Sequence, residues 1–370
     1  MIGRARSLSA RWLDRARHGR TDWSGIASPV CGGVLAIAPA GYTGVANATR
    51  RLFPATVEVD AAALVLEGDR RELVQAMLAS GADRMVFSGW IDGFAEVARG
   101  LKRARPASFV GALWHGTPMQ LADADERLQY DRVVTLLREG VLDRVGFLKT
   151  GEGEAHARRG LTAVDVFNPP PEGTPKRATI AREADAPLRV GLFSAGPSWR
   201  KNPYAMLAAL ARLDQVALTG VLDAAAQAHA RALGLALAHV RSDPFDEETL
   251  ATRLGAQDCN LYVTLSECSP LLPLESLHLG VPCLIGASSH LFAGTPLLDG
   301  GGATEAAQFL DARLVVARAD DPRAIAEAIR GAVDDRAAIA DAYSVWAPAY
   351  AAHARDAIAG FLSDAPGPGA

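Results

Sequence analysis

Three groups of residues in this chain of 370 have types and spacing that suit chemistry. Glu267 and Glu275 stand eight apart in Ser266-Glu267-Cys268-Ser269-Pro270-Leu271-Leu272-Pro273-Leu274-Glu275, with Gly280-Val281-Pro282 following. Arg200 and Lys201 are adjacent and precede Asn202-Pro203, and His115 sits in Leu113-Trp114-His115-Gly116-Thr117. A carboxylate held in a crevice needs a cation or hydroxyl donors around it, and sugar hydroxyls are good donors. Two cations at the start of a helix oppose its dipole at roughly 0.3–1 kcal/mol each, and a bound polyanion reverses that penalty. Each group also has a plainer reading: a capping carboxylate, solvated surface cations and a buried histidine bonded to backbone.

The elements around these residues decide which reading has a place to act. Leu261 to Leu265 is an apolar run suited to a strand buried on both faces. Ser266 to Pro270 breaks it; Ser269 is placed to cap a helix and Pro270 to fill its first position. The helix carries Leu271 to Leu279, stops at Gly280, and a strand runs from Val281 to Gly286. Pro273 lacks an N–H, so the helix is expected to start a residue or two late. In an open α/β sheet the loop after a strand faces the ligand crevice, and the next helix offers unpaired N–H groups to a phosphate.

The spacing E-x7-E followed by Leu-His-Leu-Gly-Val-Pro resembles the donor-site signature of retaining glycosyltransferases of the GT-B fold, the large family-4 type, also called group 1. The resemblance implies two Rossmann-like domains facing across a cleft, with a C-terminal helix crossing back to the first. It implies transfer of a sugar from a nucleotide-diphosphate sugar of UDP or GDP type, with retention, and with no metal or other cofactor. Glu275 then binds the ribose and Glu267 the sugar hydroxyls. Arg200, Lys201, Ser269, Leu271 and Leu272 surround the departing phosphate, and Lys201 counts with His115 and Glu267 as catalytic. His115 matches a histidine that contacts the donor sugar. In the glycine-rich turn of the first domain, Gly41, Thr43 and Gly44 approach the pyrophosphate. The turn at His239 to Ser242, with Arg241, meets the nucleobase. Ala195 stands where the family often has an arginine.

The rest of the chain fits that frame. Val34–Ala38 is a strand, Val45–Leu52 a helix, and strands and helices alternate as far as Phe167, which means a parallel sheet. The domains divide as a basic extension over residues 1–31, an acceptor domain over 32–170 joined by the terminal helix from about 346 to 362, a proline-rich linker over 171–187, a donor domain over 188–345 and a disordered tail over 363–370. A glycine-rich loop at Gly294–Gly302 covers the crevice, and strand Leu314–Ala317 and helix Pro322–Val333 close the second sheet. Six arginines between Arg4 and Arg20 allow peripheral contact with the inner membrane face, although packing on the first domain is the preferred reading. Charge is near balance, 38 basic against 42 acidic residues, which gives no reason to expect nucleic acid. No apolar run is long enough to span a bilayer and no signal peptide is evident, so a cytoplasmic location is expected. The four cysteines lack metal spacing. The acceptor is a glycan, lipid-linked or protein group that the sequence does not name. Two rivals remain. One is a metal-dependent transferase using Asp123-Ala124-Asp125, where helix capping is the plainer explanation. The other is a non-catalytic glycan- or partner-binding protein of the same fold.

Overall fold

The computed structural model describes Trp23, Ile26 and residues 33–176, 186–193, 199–292 and 302–363. The chain divides into two compact units, residues 1–168 with 355–370, and residues 169–354. Each contains one six-stranded sheet, parallel throughout.

In the first unit the strands are β1 (Val34–Pro39), β2 (Thr56–Val59), β3 (Arg84–Ser88), β4 (Phe109–Trp114), β5 (Arg144–Phe147) and β6 (Ala163–Asp165), in the order β2-β1-β3-β4-β5-β6. Between them run α1 (Thr43–Leu52), α2 (Glu67–Ala79), α3 (Phe94–Ala104), α4 (Ala124–Arg138) and α5 (Glu152–Ala157). The order reverses direction between β1 and β3, so the carboxyl ends of those strands form the switch-point crevice. Leu35, Ile37, Met85, Phe87, Val110 and Ala112 are buried between the sheet and its helices. Trp23 and Ile26 are buried in the same core, which ties that end of the basic extension to the first unit; Arg4 to Arg20 lie outside the described residues.

In the second unit β7 (Leu188–Leu192), β8 (Val216–Val221), β9 (Ala236–Arg241), β10 (Cys259–Tyr262), β11 (Cys283–Gly286) and β12 (Val315–Val316) are ordered β12-β11-β10-β7-β8-β9. The helices are α6 (Pro203–Leu210), α7 (Ala224–Ala232), α8 (Glu247–Gly255), α9 (Leu271–His278), α10 (Gly302–Leu314), α11 (Pro322–Asp334) and the long α12 (Arg336–Leu362). This is the order of a dinucleotide-type sheet, with its switch point between β7 and β10.

Several boundaries differ from the sequence expectation. The strand before Glu267 spans Cys259–Tyr262, not Leu261–Leu265, because its parallel partner β7 ends at Leu192 opposite Leu261. The chain bends there, with Thr264 N donating to Tyr262 O at 2.8 Å. Gly286 permits that bend to pack closely, since a Cβ on it would lie 2.0 Å from Thr264 O. Ser269 does not cap α9; Pro270 holds the N-cap position and no side chain caps the helix. Nor is the helix start delayed, because Pro273 falls in the first turn, where an N–H has no intrahelical partner to lose. The first helix begins at Thr43, so Gly44 lies inside its first turn rather than before it. Helix α10 was not among the sequence expectations, although its buried Ala306, Ala307, Leu310 and Leu314 recur at helical spacing. The expected covering loop at Gly294–Gly302 falls outside the described residues except for Gly302, the first residue of α10.

The expected linker is not free of the second unit at its start: Lys176 N donates to His278 O at 2.8 Å, and residues 177–185 are outside the described set. The terminal helix groups with the first unit only from Arg355, later than residue 346. Tyr343, Trp346 and Tyr350 explain the difference, because they are buried in the second unit, with Tyr343 OH bonded to Leu274 O at 3.1 Å. Its last turn is held in the first unit. Arg144, 4% exposed, donates to the carbonyls of Gly360, Phe361 and Ser363, and Arg84 Nε donates to Leu362 O at 2.9 Å. Cations there match the negative end of the helix dipole.

Candidate active site

The second unit's switch point gathers four of its polar side chains. Trp199–Lys201 forms a single tight helical turn after β7, and Asn202 follows with φ 56°, a left-handed conformation that asparagine tolerates better than most residues. The Asn202 amide donates to Val263 O at 3.1 Å, which fastens this turn to the end of β10. Leu265 N donates to Arg200 O at 2.8 Å, joining the same two loops again. Glu267 and Lys201 are thereby carried to one place.

Lys201 Nζ lies 2.6 Å from Glu267 Oε2 and 2.6 Å from the Tyr262 hydroxyl oxygen, and that hydroxyl donates to Glu267 Oε2 at 2.7 Å. Arg200 Nη1 is 3.6 Å from the same carboxylate oxygen. Cys268 N donates to Glu267 Oε1 at 3.2 Å. The side chains of Lys201 and Glu267 are 13% and 8% exposed, and that of Arg200 is 22%. Burial pushes the Glu267 carboxyl up, but Lys201, Arg200 and the Tyr262 hydroxyl together outweigh it, so its pKa lies below the usual range. Burial, then the charge on Glu267, holds Tyr262 well above a normal phenol, so it remains a proton donor. Cys268 is raised to about 12 by burial and then by Glu267, which keeps it an inert thiol.

These contacts correct one part of the expectation. The charge on Glu267 is balanced by protein groups before any sugar arrives, and the penalty of two adjacent cations is offset by Glu267 before any phosphate arrives. Two cations against one carboxylate still leave a net positive charge. Tyr262 was not singled out from sequence, yet a tyrosine in a strand buried on both faces needs a partner for its hydroxyl, and that was a usable signal.

The other second-unit candidates are placed as follows. Leu271 and Leu272 are the first two residues of α9, half-buried, with no side chain capping that end. Glu275 is half-buried one turn further along the helix. Ser269 is buried and hydrogen-bonded with the Tyr350 hydroxyl instead of the helix N-terminus. Arg241 ends β9, is exposed, and lies over the Phe245 ring at 5.1 Å, which in turn meets Phe193 after β7 at 6.1 Å. Ala195 lies outside the described residues.

In the first unit, Gly41 (φ 82°), Thr43 and Gly44 are exposed at the start of α1, and a Cβ at Gly41 or Gly44 would meet nothing within 4 Å. Gly41 thus serves its backbone conformation and leaves open space above the loop. His115 follows the end of β4 and is half-buried; its Nε2 lies 2.9 Å from Ser88 Oγ at the end of β3. Desolvation lowers its pKa to about 4. Ser88 is bonded in turn to Thr49 of α1 at 2.6 Å, a connection the sequence did not reveal. Asp123 caps α4, its carboxylate accepting from Asp125 N at 2.8 Å and Glu126 N at 3.3 Å, so the Asp123-Ala124-Asp125 run is a helix start rather than a strand end.

Two parallel six-stranded α/β units of this topology are a GT-B fold. Among solved structures the chain is similar to a UDP-forming α,α-trehalose-phosphate synthase from Burkholderia xenovorans in complex with glucose-6-phosphate. The TM-score is 0.58 and the identity 12%, over 87% of this chain and 98% of that one. It is also similar to sucrose-phosphate synthase from Thermosynechococcus elongatus, with TM-score 0.53 and 17% identity over 89% and 95% of the two chains. A third likeness is to an E. coli trehalose-6-phosphate protein bound with UDP-2-fluoro glucose, with TM-score 0.53 and 13% identity over 80% and 76%. No protein-family model matches the chain, and no curated protein matches it. Among the described residues no helix is long and apolar enough to cross a membrane.

Proposed function

We propose that the protein is a retaining, metal-independent glycosyltransferase of the family-4 type that takes a sugar from a UDP- or GDP-linked donor. The observation that carries the reading is the Arg200–Lys201–Tyr262–Glu267 cluster at the second unit's switch point, beside the uncapped start of α9. Its net positive charge and the N–H groups of Leu271 and Leu272 suit a diphosphate leaving group, which they would stabilise as charge develops. Glu275 is the proposed ribose ligand and Glu267 the group that orients Lys201 and meets the sugar. The departing phosphate takes the acceptor's proton, so no separate base is required. On the first unit, His115 and the Gly41–Gly44 loop are the matching candidates. A sugar phosphate is the first acceptor to try, because the fold neighbours include a trehalose-phosphate synthase in complex with glucose-6-phosphate and a sucrose-phosphate synthase.

The test is calorimetric titration of UDP, GDP and ADP, then hydrolysis and transfer assays, with and without chelator, using sugars on the base that binds. Binding of none of the three removes the donor site; loss of activity in chelator removes metal independence. A second reading is favoured by the full set of protein partners around Glu267: a buried structural charge cluster in a non-catalytic binding protein. Binding of nucleotide without hydrolysis or transfer of any donor sugar would select it.

A further inference from the structure

Three polar groups line up at the carboxyl edge of the first unit's sheet. Thr49 Oγ1 lies 2.7 Å from Val45 O in its own helix and 2.6 Å from Ser88 Oγ, and Ser88 Oγ lies 2.9 Å from His115 Nε2. Thr49 and Ser88 are each fully buried. Counting protons gives the chain a direction. A carbonyl oxygen has no proton to give, so the one hydroxyl hydrogen of Thr49 goes to Val45 O. The contact between the hydroxyls is then made by the hydrogen of Ser88, with Thr49 accepting. Ser88 has no second hydrogen, so it meets His115 only as an acceptor, and Nε2 must carry the proton. Running the chain the other way would leave Val45 O and Thr49 Oγ1 at 2.7 Å with no hydrogen between them.

We infer that Thr49 and Ser88 are positioning residues that hold His115 in its Nε2–H form, with the lone pair of the neutral ring on Nδ1. Burial supports the neutral state, since it lowers the pKa of His115 to about 4. The consequence is directional: any hydrogen bond His115 makes at Nδ1 is one it accepts. Under the transferase reading, on which this last step rests, a substrate group meeting Nδ1 must therefore be a donor such as a sugar hydroxyl, not a phosphate oxygen. The i→i−4 bond of Thr49 to Val45 is common for threonine in a helix and would not alone single it out. Its second contact, to a serine that in turn meets a ring nitrogen, does.

The test uses the full chain labelled with ¹⁵N, the ring nitrogens of His115 being assigned by comparison with His115→Gln. At pH 7 the wild type should show one ring form, protonated at Nε2, with that hydrogen protected from solvent exchange. Thr49→Val keeps the side-chain shape but removes the acceptor for the Ser88 hydrogen. Ser88 can then donate to Nε2, and the Nδ1–H form should appear. Thr49→Ser restores the hydroxyl and should return the wild-type spectrum, and it also controls for folding. A wild-type ring protonated at Nδ1, or a Thr49→Val spectrum identical to wild type in form and exchange, overturns the inference. Turnover is read separately: kcat should fall about 10- to 100-fold in Thr49→Val with nucleotide affinity unchanged, the scale of a misdirected group. Absence of transfer by the wild type would count against the proposed function, while the ring spectrum would still decide this inference.

Discussion

Glu267 and Lys201 make the sharpest test of the site because losing either charge should destabilise the second unit, while only the loss of Lys201 should weaken nucleotide binding. Unit charges about 3 Å apart attract by about 5–6 kcal/mol at an effective dielectric of about 20, much of which desolvation consumes. Removing one partner of a buried pair strands the other, at a cost of about 3–5 kcal/mol. Here the loss should be smaller. Lys201→Met leaves Glu267 with Arg200 at 3.6 Å and the Tyr262 hydroxyl, so about 2–3 kcal/mol is expected. Glu267→Gln keeps one oxygen for Tyr262 but deprives Lys201 of its counter-charge, and about 2–4 kcal/mol is expected. The double variant removes both charges and should cost less than the sum of the singles by about 2 kcal/mol.

A chain of two units does not unfold in a single two-state step, so hydrogen exchange within residues 259–286 is the readout that isolates the second unit. Calorimetry supplies the other half of the test. Lys201→Met should weaken UDP by about 1.5–3 kcal/mol, roughly 10- to 150-fold, while uridine binds both proteins alike. Glu267→Gln should hold or tighten UDP, because it removes a negative charge from the phosphate side, yet lower turnover by roughly 10²-fold. Additive single costs, or singles below about 0.5 kcal/mol, would show that the pair is solvated and not a buried charge cluster. Equal UDP affinity in Lys201→Met and wild type would place the phosphates elsewhere.

Three further outcomes are expected. Glu275→Gln should raise the donor KM and leave kcat nearly unchanged, since the ribose does not change during reaction; a selective kcat loss contradicts its assignment. Burial and then the charge of Asp165 raise Glu152 from 4.5 to about 7, so the folded state binds a proton that the unfolded state releases. Its stability contribution is complete below about pH 4.5 and is lost as pH rises to about 7, up to about 3 kcal/mol. Exchange protection in the first unit should decline over that window and flatten in Glu152→Gln; equal slopes refute the assignment. Arg144→Met strips the last turn of α12 of a buried cation that serves three carbonyls, so amides 355–362 should exchange faster by about 2–4 kcal/mol, with Arg144→Lys between the two. Unchanged protection there would mean that the packing of Phe361 against Phe109, at 5.7 Å, holds the helix by itself.

The sequence alone determined the alternation of strands and helices, and with it two parallel sheets. Hydrophobic runs and glycine or proline breaks are local signals. It also placed Glu267, Lys201 and His115 after strands, at the carboxyl edges where an α/β sheet binds ligands, because that placement follows from chain order. Strand order was not local, and only the tertiary structure showed that β7 and β10, 66 positions apart at Lys201 and Glu267, flank one switch point. What pairs with a buried charge depends on which side chains the sheet brings within about 3 Å, and no spacing along the chain encodes that. Hence Glu267 looked ready for a sugar in sequence but has Lys201, Tyr262 and Arg200 around it in the fold. Ser269 looked like a helix cap, yet its hydroxyl bonds with Tyr350, a residue 81 positions away on α12. The Thr49–Ser88–His115 chain belongs to the same class. Thr49 and Ser88 are unremarkable in their own segments, and the direction of the protons leading to His115 exists only once three elements of the first unit are packed together.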